Sequence, residues 1–156
     1  MAIAQILWVD DEIESLQSQK IFLETKGYAV HTLTNGYDAI EYIQQHVVDV
    51  VLMDESMPGI TGLETLTRMK QLQQRLPIVL ITKNETENLM NEAIGRQISD
   101  YLIKPVNPSQ VLLSLKKILD NKRLVSEKTN HNYMQEFRQL AMQYQDRIGH
   151  SEWVEL

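Results

Sequence analysis

The stretch Val51-Leu52-Met53-Asp54-Glu55-Ser56-Met57-Pro58-Gly59 constrains the fold more than any other in the chain. An apolar run from Val47 to Met53, broken only by Asp49, stops at a carboxylate and passes into a Met-Pro-Gly turn. This is the pattern of a buried strand that delivers Asp54 to its C-terminal end. Open α/β sheets bind ligands at that end. A carboxylate closing an apolar strand costs stability unless other groups compensate its charge, so the ends of the other apolar runs become the places to look.

Taken in order, those runs alternate with helical patterns. Ile6-Leu7-Trp8-Val9 stops at Asp10-Asp11-Glu12 and reads as a central strand with Trp8 in the core. Residues 15–26 place Leu16, Ile21, Phe22 and Leu23 at roughly helical spacing and end at Gly27, a helix terminator. Residues 28–33 read as the second strand, Asn35-Gly36 as a turn, and residues 38–45 as a helix with Ala39, Ile40 and Ile43 inward. After the Asp54 strand, Leu63, Leu66, Met69, Leu72 and Leu76 step by three and four to Pro77. Residues 78–81 form a fourth strand ending in Thr82, a weaker helix covers about 87–96, and residues 99–103 form the fifth strand before Lys104-Pro105. Asn107 or Ser109 caps a last helix bearing Val111, Leu112, Leu115, Ile118 and Leu119. Strict alternation without a two-residue hairpin turn predicts an α/β fold, a five-stranded parallel sheet wound on both faces, over residues 1–120.

Charge narrows the function. Of the formal net charge of -6, all lies in residues 1–120, with 10 basic and 16 acidic side chains; residues 121–156 hold 5 of each. No basic cluster suits a phosphate backbone, so direct nucleic-acid binding by this segment is not expected. The absence of cysteine excludes disulfides and thiolate metal sites. No run approaches the ~20 apolar residues of a membrane span, and the N-terminus carries no basic leader, so no membrane partner and a cytoplasmic location are expected.

Asp10-Asp11 after strand one, Asp54 with Met57-Pro58-Gly59 and Gly62 after strand three, Thr82 after strand four, and Tyr101 with Lys104-Pro105 around strand five together resemble the receiver domain of two-component response regulators. Read singly, each has an ordinary explanation: a solvated acidic loop, a strand-end hydroxyl, a half-buried aromatic, a surface lysine. Their order and their placement at strand ends carry the resemblance. It implies a flavodoxin-like sheet of order 2-1-3-4-5 and a phosphorelay in which a sensor histidine kinase phosphorylates Asp54. It further implies a divalent ion, Mg²⁺ or Mn²⁺ in its place, held by Asp11, Asp54 and the backbone carbonyl of Ser56, with Asp10 acting through water. Crowded carboxylates call for such a cation independently if strands one and three are neighbours. Lys104 and Thr82 would contact the phosphoryl oxygens, and Tyr101 would follow Thr82 inward and reshape a protein-binding face. Such a domain catalyses only its own phosphoryl transfer and dephosphorylation.

The family pattern is not matched everywhere. A small residue usually follows the switch hydroxyl, whereas here it is Lys83, at the entrance to the phosphoryl site; Glu55, Ser56 and Asn84 are expected at its mouth. The alternative on the same sheet is a flavodoxin-like cofactor-binding or enzymatic domain. It would need a phosphate-binding loop of Ser, Thr and Gly after strand one, where this chain has acids.

Residues 121–156 read as a helical extension or linker, broken near Asn130-His131-Asn132. Tyr133, Phe137, Leu140, Ala141, Tyr144 and Ile148 form an apolar stripe, and Ser151 to Leu156 look like the start of a truncated effector domain, which could itself be enzymatic. The Asp-Glu-Ser-Met-Pro-Gly string followed by this segment is similar to the PorX-like Bacteroidetes regulators, which carry a helical linker and a PglZ domain. An effector and a phosphorylation-dependent homodimer are the further partners expected.

Overall fold

The computed structural model describes residues 2–83 and 86–122. Its compact unit runs from Met1 to Ile118, and a second unit begins at Leu119. Five strands, β1 (Gln5–Val9), β2 (Ala29–Leu33), β3 (Val50–Asp54), β4 (Ile78–Thr82) and β5 (Asp100–Ile103), form one sheet of order β2-β1-β3-β4-β5. Every pairing is parallel. This is the doubly wound order expected above. Between the strands lie α1 (Gln17–Thr25), preceded by a 3₁₀ turn at Ile13–Leu16, then α2 (Gly36–Gln45), α3 (Gly62–Leu72) and α4 (Glu87–Gly95). A final helix, α5, covers residues 108–122, with the Asn107 side chain accepting from the Ser109 amide at its start (2.8 Å).

The sheet is central because its strands are apolar on both faces. Leu7, Val9, Val51, Met53, Ile78 and Leu80 join Ala39, Ile43, Leu63, Leu66 and Met69 in one buried cluster. The alternate strand residues Ile6, Trp8, Val50, Leu52, Val79 and Ile81 face the other side and are equally buried. Burial of whole side chains at about 1.5–3 kcal/mol each drives this arrangement.

Several local expectations are corrected. Asn35-Gly36 is not a turn: Asn35 is the N-cap of α2, its side-chain oxygen accepting from the Asp38 amide (2.9 Å) while its side-chain amide donates to Asp38 (2.8 Å). The cap satisfies an orphan helix N–H, and the helix begins at Gly36 rather than after a separate turn. Ile21 is 57% exposed because it lies two residues, about 200° around a helix, from the buried Leu23. Leu72 ends α3 on the solvent side, and Leu76 enters the core from the connection beyond. Val47 is exposed and precedes β3, while Asp49 secures the start of that strand by accepting from the Gln5 amide (2.7 Å). Ile40 is partly buried but packs against the core cluster as expected, while Leu112 and Leu119 are only partly buried. The apolar stripe from Tyr133 to Ile148, the break near Asn130 and residue Asn84 lie outside the described residues.

Candidate functional site

The C-terminal ends of the strands converge on one pocket. Asp10 lies one residue beyond β1, fixed by its amide donating to Leu33 O (3.0 Å), and it is wholly buried. Asp54 closes β3 at 4% exposure and Thr82 closes β4 at 3%. Lys104 follows β5, its amide held by Thr82 O (2.8 Å), and its peptide bond to Pro105 is cis. Because β1 and β4 both pair with β3, with β5 outside β4, the Lys104 side chain reaches across the sheet edge. Its Nζ lies 2.7 Å from Asp10 Oδ2 and 3.2 Å from Asp54 Oδ1. The second Asp10 oxygen accepts from the Glu12 amide (2.8 Å). Asp11 is exposed, yet one oxygen each from Asp10, Asp11 and Asp54 fall within 4.8 Å of one another.

These contacts answer the charge problem set by the sequence in part. Lys104 compensates two buried carboxylates at once, and three acids still face one cation among these four groups. Burial first, and then the Asp10 carboxylate, push the Asp54 carboxyl from 3.8 up to about 6, against the pull of Lys104. Burial acts to lower the Lys104 ammonium, but the Asp10 hydrogen bond and the two carboxylate charges outweigh it and hold the group above its ordinary value. A cavity of about 520 Å³ opens over this cluster, with Asp11, Asp54, Ser56, Thr82 and Lys104 in its wall.

The segment after Asp54 shapes the other wall. Pro58 leads into Gly59, whose φ of +91° is the left-handed conformation that glycine adopts without strain. At Gly62, α3 crosses the chain so closely that a Cβ would run into the carbonyl of Asp54 and the Cα of Glu55. Thr61 caps α3 by accepting from the Glu64 amide (3.2 Å). Glu55 binds the same helix end twice: its carbonyl accepts from Gly62 N (2.9 Å) and its carboxylate from Leu63 N (2.8 Å). Burial raises the Glu55 carboxyl above its ordinary value.

Asp10, Asp11, Asp54, Ser56, Thr82 and Lys104 are thus brought together as expected. Tyr101 is not in the cavity wall: it sits half-buried on β5 against the apolar cluster. Sequence reasoning placed Glu55 only at the mouth and missed its capping of α3. The only local signal is an acid seven residues before the helix start at Gly62, close enough in sequence to reach the free amides of the first turn. The contact between Lys83 and Glu12, 3.7 Å apart, was also missed.

A family model described as the response regulator receiver domain matches residues 6–116, and one described as the PorX response regulator linker domain matches residues 123–156. The chain is 32% identical over 149 residues to the phosphoglycerate transport system transcriptional regulatory protein PgtA of Salmonella typhimurium, covering 96% of this chain and 34% of that one. It is 30% identical over 115 residues to the transcriptional regulatory protein SrrA of Staphylococcus aureus, covering 74% and 47%. The chain therefore spans about a third to a half of these relatives' length. Among solved structures, a CheY-like receiver domain protein from Methanospirillum hungatei superposes with a TM-score of 0.74 at 26% identity, over 78% of this chain and 98% of that one. TrrA from Thermotoga maritima, in complex with Mg²⁺ and beryllofluoride, does so with a TM-score of 0.67 at 28% identity, over 74% and 99%. With its parallel sheet, its acidic cluster and these matches agreeing, the chain belongs to the response regulator receiver domain family.

Proposed function

We propose that Asp54 is the phosphoryl acceptor of this receiver domain and that phosphorylation switches a protein-binding surface. The observation that carries this reading is the convergence of Asp10, Asp11 and Asp54 within 4.8 Å, with Lys104 ion-paired to two of them at the sheet edge. An Asp54 carboxyl of about 6 is mostly ionised at neutral pH and so can act as a nucleophile. Its oxygen attacks phosphorus in line, the bond from phosphorus to the donor's imidazole nitrogen breaks, and an acyl phosphate forms on Asp54. Lys104 exchanges its hold on Asp54 for a phosphoryl oxygen, and the Thr82 hydroxyl donates to another. Tyr101, on β5 beside Thr82's strand and in register with Leu80, reports the change to the face of α4, β5 and α5.

The donor set fits a hard divalent cation: carboxylate oxygens in excess of positive charge, at oxygen-only positions. Asp11, Asp54 and the Ser56 carbonyl would hold Mg²⁺, or Mn²⁺, with Asp10 through water. When bound, the ion supplies charge neutralisation for the carboxylate and the phosphoryl group together.

Residues 1–120 are read as the receiver and 121–156 as a helical linker toward an effector, a division supported by the PorX linker match at 123–156. A sensor histidine kinase is the donor, the setting is cytoplasmic, and a phosphorylation-dependent homodimer is one output. Light scattering over a concentration series should show a mass increase on adding beryllofluoride, and a constant mass counts against the dimer. The flavodoxin-like alternative loses its ground, since Asp10 and Asp11 occupy the place of a phosphate-binding loop. Incubation with acetyl phosphate and Mg²⁺ tests the acceptor: intact mass should rise by one phosphoryl group in the wild type and not in Asp54→Asn. An unmodified wild type, or a modified variant, overturns it.

A further inference from the structure

Both strands that flank β3 are followed by a charged residue at the rim of the pocket. Glu12 lies two residues past Asp10 after β1, Lys83 lies one past Thr82 after β4, and β1 and β4 each pair with β3. Lys83 Nζ stands 3.7 Å from Glu12 Oε2. The ion pair therefore spans the two strands on either side of the one that ends in Asp54, and both partners belong to the wall of the 520 Å³ cavity. A second cavity, about 390 Å³, runs from Leu16 and Gln19 to Pro105 and Val106 and shares Glu12, Lys83 and Lys104 with the first. The pair thus stands where the two cavities meet.

We infer that the Glu12–Lys83 pair is a strap across the phosphoryl entrance that determines how readily small, freely diffusing phosphodonors reach Asp54. Closed, it narrows the entrance, and the Lys83 charge is neutralised by Glu12. Open, it frees an ammonium group for the anionic oxygens of the incoming donor. The side chains are 73% and 59% exposed, and solvent-screened pairs of this kind shift an equilibrium by no more than about fivefold. The strap is therefore easily displaced. It modulates access and does not seal the site. This inference rests on Asp54 as the acceptor.

The test is a double-mutant cycle on the full chain: wild type, Glu12→Gln, Lys83→Gln and the double variant, each given acetyl phosphate or phosphoramidate with Mg²⁺ and followed by intact mass. Simple loss of a repelling carboxylate would speed the reaction by the same factor whether or not Lys83 is present. A strap makes the two residues interdependent. The expected result is that Glu12→Gln speeds phosphorylation about two- to fivefold in the Lys83 chain, with a smaller factor in the Lys83→Gln chain. The difference should fade as salt is raised. Equal factors in both backgrounds, or a difference indifferent to salt, overturn the strap while leaving Asp54 as acceptor. A wild type that takes no phosphoryl group at Asp54 overturns the underlying reading instead.

Discussion

Asp54 carries the tension in this site. Its carboxyl is pushed up from 3.8 to about 6, chiefly by burial and by Asp10. A group whose folded value is raised favours the folded state fully below its unfolded value and loses that contribution as pH rises through the folded one. Without metal, stability attributable to Asp54 should therefore fall between about pH 4 and pH 7. Asp54→Asn should be more stable than wild type at pH 7 by about 2–3 kcal/mol, and the difference should vanish below about pH 4. Chemical denaturation at the two pH values in chelator checks this, and a pH-independent difference would count against it. At this scale the sequence was legible where chemistry follows locally from chain direction: an apolar strand ends in an acid, and the acid lies at the strand's C-terminal end. It was not legible where partners are distant. Nothing local to Asp10 says that Lys104, 94 residues later, donates to it at 2.7 Å, nor that Glu12 meets Lys83.

Among the elements, β3 and α3 are the pair on which the site geometry depends. Gly62 lets the start of α3 pass against the Asp54 carbonyl. Gly62→Ala should displace that backbone, costing about 1–3 kcal/mol and slowing phosphorylation of Asp54. Gly95, with nothing within 4 Å of an added Cβ, is the control: Gly95→Ala should be neutral or stabilising, by up to about 1 kcal/mol. Thermal melts and acetyl phosphate kinetics on the two variants check the contrast, and equal behaviour would show that the close approach does not matter. The periodicities that located the helices did not fix their details. Asn35-Gly36 carries the same letters whether it forms a free-standing turn or caps a helix, and the Asp38 amide decides in favour of the cap. Ile21 counted as apolar in sequence, but its angle from Leu23 places it in solvent.

For the molecule as a whole, alternation of strands and helices specified a parallel sheet, whereas the order β2-β1-β3-β4-β5 came from the family resemblance and is the order found. With β1 and β4 on either side of β3, it sets Asp10 and Thr82 on opposite sides of Asp54. It also concentrates acidic charge on one edge, so a divalent cation should stabilise the fold. At ten times its dissociation constant the gain is about 1.4 kcal/mol, readable as a rise in Tm on adding Mg²⁺. Asp11→Asn should abolish that rise, and an unchanged Mg²⁺ response in the variant would remove Asp11 from the site.

The central claim is chemical, that Asp54 becomes an acyl phosphate, and it is tested most directly by reduction and peptide mapping. After treatment with acetyl phosphate and Mg²⁺, borohydride converts an aspartyl phosphate to homoserine. The expected result is homoserine at position 54 alone, absent when either Mg²⁺ or the donor is omitted. Homoserine at position 10 or 11, or phosphate found only on a hydroxyl side chain such as Thr82, would contradict it.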